Sequence, residues 1–472
     1  VAWRGESLGE ENHMATNRRD FLKVGGYSLA ALGSFRVSTL EAVAQGTIAP
    51  ESVGLALATS AQSRKPFRLT EPWYRQTVAR FQQRIGERGL RGMILSSVLN
   101  YNYLTGYFMA GWERPAWLFV PTQGDPTMFF CGIDRENLMP WWIKDLEWYY
   151  DYKHAGPFNQ TVWEPGPEVD LAQWMLSGLA KRGFGEGRIG IERELTPSEH
   201  RRWSSVLPRA EFVEAGSIPL RMRMVKTPEE IALTQVAIEY HDKALIYAHD
   251  LIATKAPGIG DWEVRRQTGD YIEDLVFSEF QVDGRPNNGV GIRLGLGCRA
   301  GRATAYTHPN MYFHKVIERG DAVQISGGQR IGGYGGEGYR AMHLEPIPEL
   351  ARRLWECCTE MTLAQVELSK PGRECRQVAA DMLKIVRRAG LEKYVYHRPA
   401  HGEGVEGHQP PWIALGDDTV LEEGMMFSNE PALYNPEGGY GYNHSNNILI
   451  TATGARVMNK VPLNKEFCWL KV

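Results

Sequence analysis

Two histidines, His401 and His408, bracket the run Gly402-Glu403-Gly404-Val405-Glu406-Gly407, and a carboxylate follows in Ser428-Asn429-Glu430-Pro431. An imidazole titrates near neutrality, so it can take a proton and return it without a metal. A carboxylate beside it can orient the ring or hold a cation, and the glycines let backbone and substrate approach closely. A third histidine, His308, lies in Thr307-His308-Pro309-Asn310. By themselves these residues are read equally well as a loop cap before Pro309 and as two hydrogen-bonded loop histidines. The paired glycines Gly327-Gly328, Gly332-Gly333 and Gly335-Gly336 are no phosphate cradle, because a strand–GxGxxG–helix context and a P-loop lysine are both missing.

The elements that must position these groups can be traced from periodicity. Thr70-Glu71-Pro72 opens a helix with Val78, Phe81 and Ile85 on one face. Short apolar strands follow at Met93-Ile94-Leu95-Ser96, Trp117-Leu118-Phe119-Val120, Thr127-Met128-Phe129-Phe130 and Arg188-Ile189-Gly190-Ile191, and strand and helix alternate as far as Phe212-Val213. This predicts an α/β domain of about 150 residues. Thr227-Pro228-Glu229-Glu230 then supplies a cap, a first-turn proline and a reciprocal acid for a long helix carrying Leu233, Ala237, Tyr240, Ala244, Tyr247 and Leu251. Further helices are expected near 264–274, 347–368 and 376–389, each pair followed by strands. The second domain therefore reads as two half-repeats around one cleft.

The chain has 472 residues and a net charge of -3, a balance that points to neither nucleic acid nor an anionic membrane. Its six cysteines lack metal-finger spacing and are read as buried free thiols. Asn17-Arg18-Arg19-Asp20-Phe21-Leu22-Lys23, a mildly apolar run to Phe35 and Ala42-Val43-Ala44 look like a twin-arginine export signal, with a run too short to anchor in a membrane. The expected organisation is a signal region at 1–45, a linker at 46–69, an N-terminal domain at 70–215 and a catalytic domain at 216–472. The mature protein is expected in the periplasm, without membrane insertion.

The junction Arg221-Met222-Arg223-Met224-Val225-Lys226-Thr227-Pro228-Glu229-Glu230 resembles that of the creatinase, prolidase and aminopeptidase P family. Gly320-Asp321-Ala322-Val323, Gly333-Tyr334, Leu421-Glu422-Glu423-Gly424-Met425, Asn429-Glu430-Pro431 and Ile448-Leu449-Ile450-Thr451 occur in that family's order. The resemblance covers about residues 70–472 and implies an α+β architecture. An N-terminal creatinase-like α/β domain would precede a C-terminal "pita-bread" domain of two αβ halves. It also implies a homodimer in which each N-terminal domain closes over the partner's site.

Metallopeptidases of this fold carry five metal ligands: two aspartates, a histidine and two glutamates. By resemblance those positions are Ser326, Glu337, His401, Glu430 and Ser445 here. Two carboxylates have become hydroxyls, which are poor ligands and cannot offset two dications. No cofactor is therefore expected, and if a single divalent metal binds, Glu337, His401 and Glu430 are its ligands. Creatinase is the family's precedent for losing the metal. By that resemblance His308 is the general base and acid, Glu430 positions or polarises, and His401 and His408 stabilise developing charge.

Creatinase's carboxylate-binding arginine aligns with Trp412 and its glutamate with Tyr339, beside Arg340, so creatine is an unsuitable substrate. Arg114 resembles an arginine contributed to the partner's site, or forms an ion pair with Glu113 or Asp134. His444, next to Ser445, completes the candidate substrate contacts. Tyr101, Tyr103, Tyr107, Phe108, Trp112 and Trp117 are either core or the wall of an aromatic pocket. The reading is a periplasmic, metal-independent enzyme that cleaves a C–N, C–C or C–S bond of a small molecule, as lyase or hydrolase. The rivals are a one-metal Xaa-Pro-type peptidase or dimethylsulfoniopropionate-lyase-like enzyme, and a non-catalytic binding protein on the same fold.

Overall fold

A computed structural model describes residues 67–108, 113–149, 170–282, 285–286, 291–308 and 314–471. The paired arginines Arg18 and Arg19, and Trp112, lie outside the described residues.

The N-terminal domain is built on one six-stranded sheet. Its spatial order is Asp145–Tyr149, Thr127–Cys131, Trp117–Pro121, Gly92–Leu95, Glu186–Ile191 and Arg209–Glu214. Gly92–Leu95 runs antiparallel to Trp117–Pro121 and parallel to Glu186–Ile191, so the sheet is mixed. Its central strands are buried along their whole length, as expected of strands covered on both faces. Phe119, Phe129, Trp174, Leu176 and Ile189 form the core between this sheet and the helix Leu171–Lys181. The helix Glu71–Glu87 starts where Thr70 accepts a hydrogen bond from the Trp73 amide, and it buries Val78, Phe81 and Ile85.

The C-terminal domain repeats helix–helix–sheet twice. Pro228–Lys255, closed by a Thr227/Glu230 capping box, and Asp261–Glu279 precede a four-stranded sheet. That sheet runs Trp469–Leu470, Arg340–Leu344, Ala322–Gly327, Leu296–Ala300. Glu349–Leu368 and Cys375–Ala389 precede a five-stranded sheet, which runs Gln409–Ile413, Ala400–Gly402, Met426–Asn429, Asn446–Ile450, Ala455–Val457. An isolated antiparallel bridge between Tyr339 and Ser445 joins the two sheets, with N···O distances of 3.2 and 3.1 Å. All six cysteines are buried, and none is in a disulfide. No described helix is long and apolar enough to cross a membrane.

Two core histidines tie these layers together. His241, on the long helix, lies 2.8 Å from the Gly338 carbonyl, and His343 pairs with the Tyr442 hydroxyl at 2.7 Å. Both are fully buried, and burial pushes both pKa values down to about 4. The folded state keeps these rings neutral, whereas the unfolded chain protonates them near 6.5. Their contribution is therefore complete above about pH 6.5 and is lost as pH falls from there toward about 4. Each is worth up to about 3 kcal/mol. In urea unfolding these two rings are expected to cost stability as pH falls from 6.5 toward 4, and that loss is expected to be smaller in His343→Gln. An equal loss in that variant would remove His343 from the account.

Candidate active site

The bridge between the two sheets brings Glu337 under the second half of the domain. Its backbone is held on both sides. The amide donates to Glu403 Oε2 at 3.1 Å, and the carbonyl accepts from Ser445 Oγ at 3.2 Å and from the Asn447 side-chain amide. Its carboxylate accepts from the Tyr339 hydroxyl at 2.6 Å, and His408 Nε2 lies 3.2 Å from Oε1. His401 sits on Ala400–Gly402, the strand between Met426–Asn429 and Gln409–Ile413, which buries its ring completely. His401 Nε2 is 3.6 Å from Glu337 and 3.3 Å from Glu430, within ion-pair range of both, but neither approach is aligned as a hydrogen bond. The rings of His401 and His408 are 4.0 Å apart.

The electrostatics follow from this crowding. Burial alone would raise the Glu337 carboxyl, but contacts from His401, His408 and Tyr339 outweigh it and hold Glu337 well below the usual carboxylate range. Burial likewise opposes charge on His401, and Glu337 and Glu430 reverse that and bring its pKa up to about 10. Burial pushes the Tyr339 phenol well above its usual value, so it remains a donor to Glu337. Glu403 is fully buried, and burial raises it to about 8. Glu403 was missed in the sequence; an acid inside the glycine turn two residues after His401 was its only signal.

The structure gathers Glu337, Tyr339, His401, His408 and Glu430, and it sets Trp412 nearby, with its ring 6.5 Å from that of His401. The Arg398 guanidinium covers Trp412 at 4.3 Å. His308 is not brought into this group. It is exposed, and among the described residues no hydrogen bond joins it to the cluster. Two expected substrate contacts are corrected. Arg340 is fully buried, and it donates to the carbonyls of Tyr339, Ser445, Val461 and Pro462 and to Asn446 Oδ1, so its donors are committed to the protein. His444 is fully buried against the edge of Trp355, with Nδ1 taken by the Ala341 amide. Arg114 makes a 2.7 Å ion pair with Glu113, the alternative foreseen for it. Of the aromatic segment, Tyr101, Tyr103 and Trp117 are core, and Phe108 faces the cleft.

That cleft has a volume of about 810 Å³ and is lined by Glu337, Glu406, Arg265, Arg293, Arg330 and Phe108, among others. A larger cavity of about 970 Å³ lies within the N-terminal domain and touches none of the cluster, so size alone does not mark the site.

Among the described residues, Glu337, His401 and His408 present three ligating atoms within 4.8 Å of one another. Two imidazole nitrogens and one carboxylate, with His401 Nε2 buried and lacking a hydrogen bond, fit one divalent cation. The third ligand of such a set is His408, where Glu430 was expected. A pair of cations does not fit. Ser445 Oγ is engaged by Ser428 Oγ at 2.8 Å and by the Glu337 carbonyl, and Ser326 brings no carboxylate.

Residues 232–452 match metallopeptidase family M24, and residues 78–225 match the creatinase/prolidase N-terminal domain. A probable dipeptidase PepE of Mycobacterium bovis is 33% identical over 386 residues, covering 80% of this chain and 92% of its own. A creatinase from a Bacillus species is 24% identical over 397 residues, covering 82% of this chain and 90% of its own. The crystal structure of dipeptidase PepE from Mycobacterium ulcerans superposes with a TM-score of 0.67 at 22% identity, over 86% of this chain and 99% of that one.

Proposed function

This chain belongs to metallopeptidase family M24, and from that premise we propose that it hydrolyses a C–N bond in a small amide, with Xaa-Pro-type dipeptides as the first class to test. The observation that carries the reading is the Glu337–His401–His408–Glu430 cluster, set where hydroxyls replace two bridging acids. His408 is half exposed and touches Glu337, and its neighbour Gly407 lines the cleft. It takes the proton of the attacking water and returns it to the leaving nitrogen as the C–N bond breaks. Glu337 orients His408, and Tyr339 holds Glu337 in place. The role first given to His308 thus passes to His408. His401, between Glu337 and Glu430, stabilises the negative charge that develops on the carbonyl oxygen. The dipeptidase and creatinase relatives support hydrolysis over elimination. We also propose that the protein acts as a homodimer in the periplasm, on the strength of the family resemblance and the paired arginines.

A second reading, a one-metal peptidase, is favoured by the three ligating atoms within 4.8 Å. A divalent cation held by Glu337, His401 and His408 would polarise the scissile carbonyl and acidify a water. Elemental analysis of the purified protein, with turnover of an Xaa-Pro dipeptide panel before and after chelation, separates the two. At most one ion per chain and turnover that survives chelation are expected. One ion whose removal stops turnover selects the second reading. Two ions per chain, or no amide cleaved, overturn both.

A further inference from the structure

The larger cavity, of about 970 Å³, lies at one end of the six-stranded sheet in the N-terminal domain. Gly92–Leu95 and Glu186–Ile191 are parallel neighbours in that sheet. The chain leaves the first strand toward Trp117–Pro121 and the second toward Arg209–Glu214, on opposite sides. In an open α/β sheet, a crevice forms outside the carboxyl ends of two such strands, and ligands bind in it. Ser96 and Glu192, the residues that follow the two strands, both line this cavity. The helices Leu171–Lys181 and Pro197–Val206 supply its sides through Met175 and Trp203. It shares no lining residue with the cleft beside Glu337.

Crevices of this type often hold an anion on exposed backbone amides. Here the protein's own carboxylate takes them. Glu192 Oε2 accepts from the Ser96 and Ser97 amides at 2.6 and 2.7 Å, and Oε1 accepts from the Asn100 side chain at 2.5 Å. The other charged residues of the lining are paired with one another. Arg193 meets Glu199 through two bonds of 2.6 and 3.0 Å, and Arg202 lies 3.4 Å from Asp170. The wall between them is apolar and aromatic, with the Trp117 and Trp203 rings 4.9 Å apart. One polar group in that wall is unsatisfied. Trp203 is 7% exposed, and its Nε1 has no hydrogen-bond partner. An indole N–H can only donate, and a buried donor without an acceptor costs stability.

We propose that this crevice is a second ligand site, for a neutral aromatic carbonyl compound. Its ring packs against Trp117 and Trp203, and its oxygen accepts from Trp203 Nε1. Aromatic walls with few polar groups suit such a body, and the carbonyl supplies the acceptor that the indole lacks. An anion gains little, because the arginines of the lining and the two strand-end amides are already engaged.

The test is a saturation-transfer NMR titration of the full chain with three probes of similar shape: acetophenone, its alkene isostere α-methylstyrene, and benzoate. Acetophenone is expected to bind about fivefold more tightly than the alkene, the span of one neutral hydrogen bond. Benzoate is expected to bind more weakly than acetophenone. Trp203→Phe keeps a ring and removes the donor, so the ketone's advantage is expected to fall to near one. Trp203 also packs on Trp117 and Phe212, so a second variant is placed at the partly buried Ala172 of the lining. Ala172→Trp fills the crevice and is expected to abolish binding of both neutral probes, with circular dichroism checking the fold. Absent binding of acetophenone, equal affinities for ketone and alkene, or tighter binding of benzoate would each overturn the site. So would an advantage unchanged in Trp203→Phe, or binding undiminished in Ala172→Trp.

Discussion

Glu337→Gln is expected to lower kcat/KM by about a thousandfold, the middle of the range for removing a general acid–base partner. The amide is nearly isosteric, so the backbone bonds from Glu337 to Glu403, Ser445 and Asn447 can persist. What is lost is the negative charge shared by Tyr339, His401 and His408. His408 then lacks its orienting carboxylate, and a charged His401 keeps only Glu430 as counter-ion. Glu430→Gln is expected to have a smaller effect, because Glu430 contacts His401 but not the half-exposed ring. Steady-state kinetics with circular dichroism checks both. A Glu337→Gln enzyme within tenfold of the unaltered one would remove Glu337 from the chemistry.

Arg340→Met is expected to destabilise the protein by about 3–5 kcal/mol, the cost of breaking a buried, fully bonded charged group from one side. Four carbonyls and the Asn446 side chain lose their donor together, and they belong to three segments: Tyr339, Ser445–Asn446 at the start of a strand, and Val461–Pro462. Such groups left unpaired inside the core are costly. Tyr339 and Ser445 form the bridge that sets Glu337 under His401, so the folded fraction that survives is also expected to lose kcat. Urea unfolding measures the first effect, and KM per active molecule is expected to stay unchanged. Intact stability with a raised KM would return Arg340 to the substrate.

How much was legible depended on how local each signal is. The cap at Thr227–Glu230 and the apolar periodicity of the long helix are decided within a few residues, and the structure follows both. Trp117 and Tyr103 illustrate the opposite case: an aromatic residue in a strand or helix looks the same in sequence whether it faces core or cleft, and both proved to be core. Arg340 and His444 were assigned to substrate by alignment position. Alignment carries no information on how many carbonyls surround a guanidinium, or on whether a ring next to Ser445 turns inward onto Trp355.

The sequence by itself determined the two-domain plan and the repeated halves of the second domain, because caps, periodicity and residue identity are local properties of the chain. Only the tertiary structure decided that His408 joins Glu337 and His401 while His308 stays outside, that Glu403 supports Glu337 from below, and that two arginines face one cleft. Those groups lie far apart along the chain, and their meeting depends on the Tyr339–Ser445 bridge between two sheets, a pairing set by the packing of the whole domain.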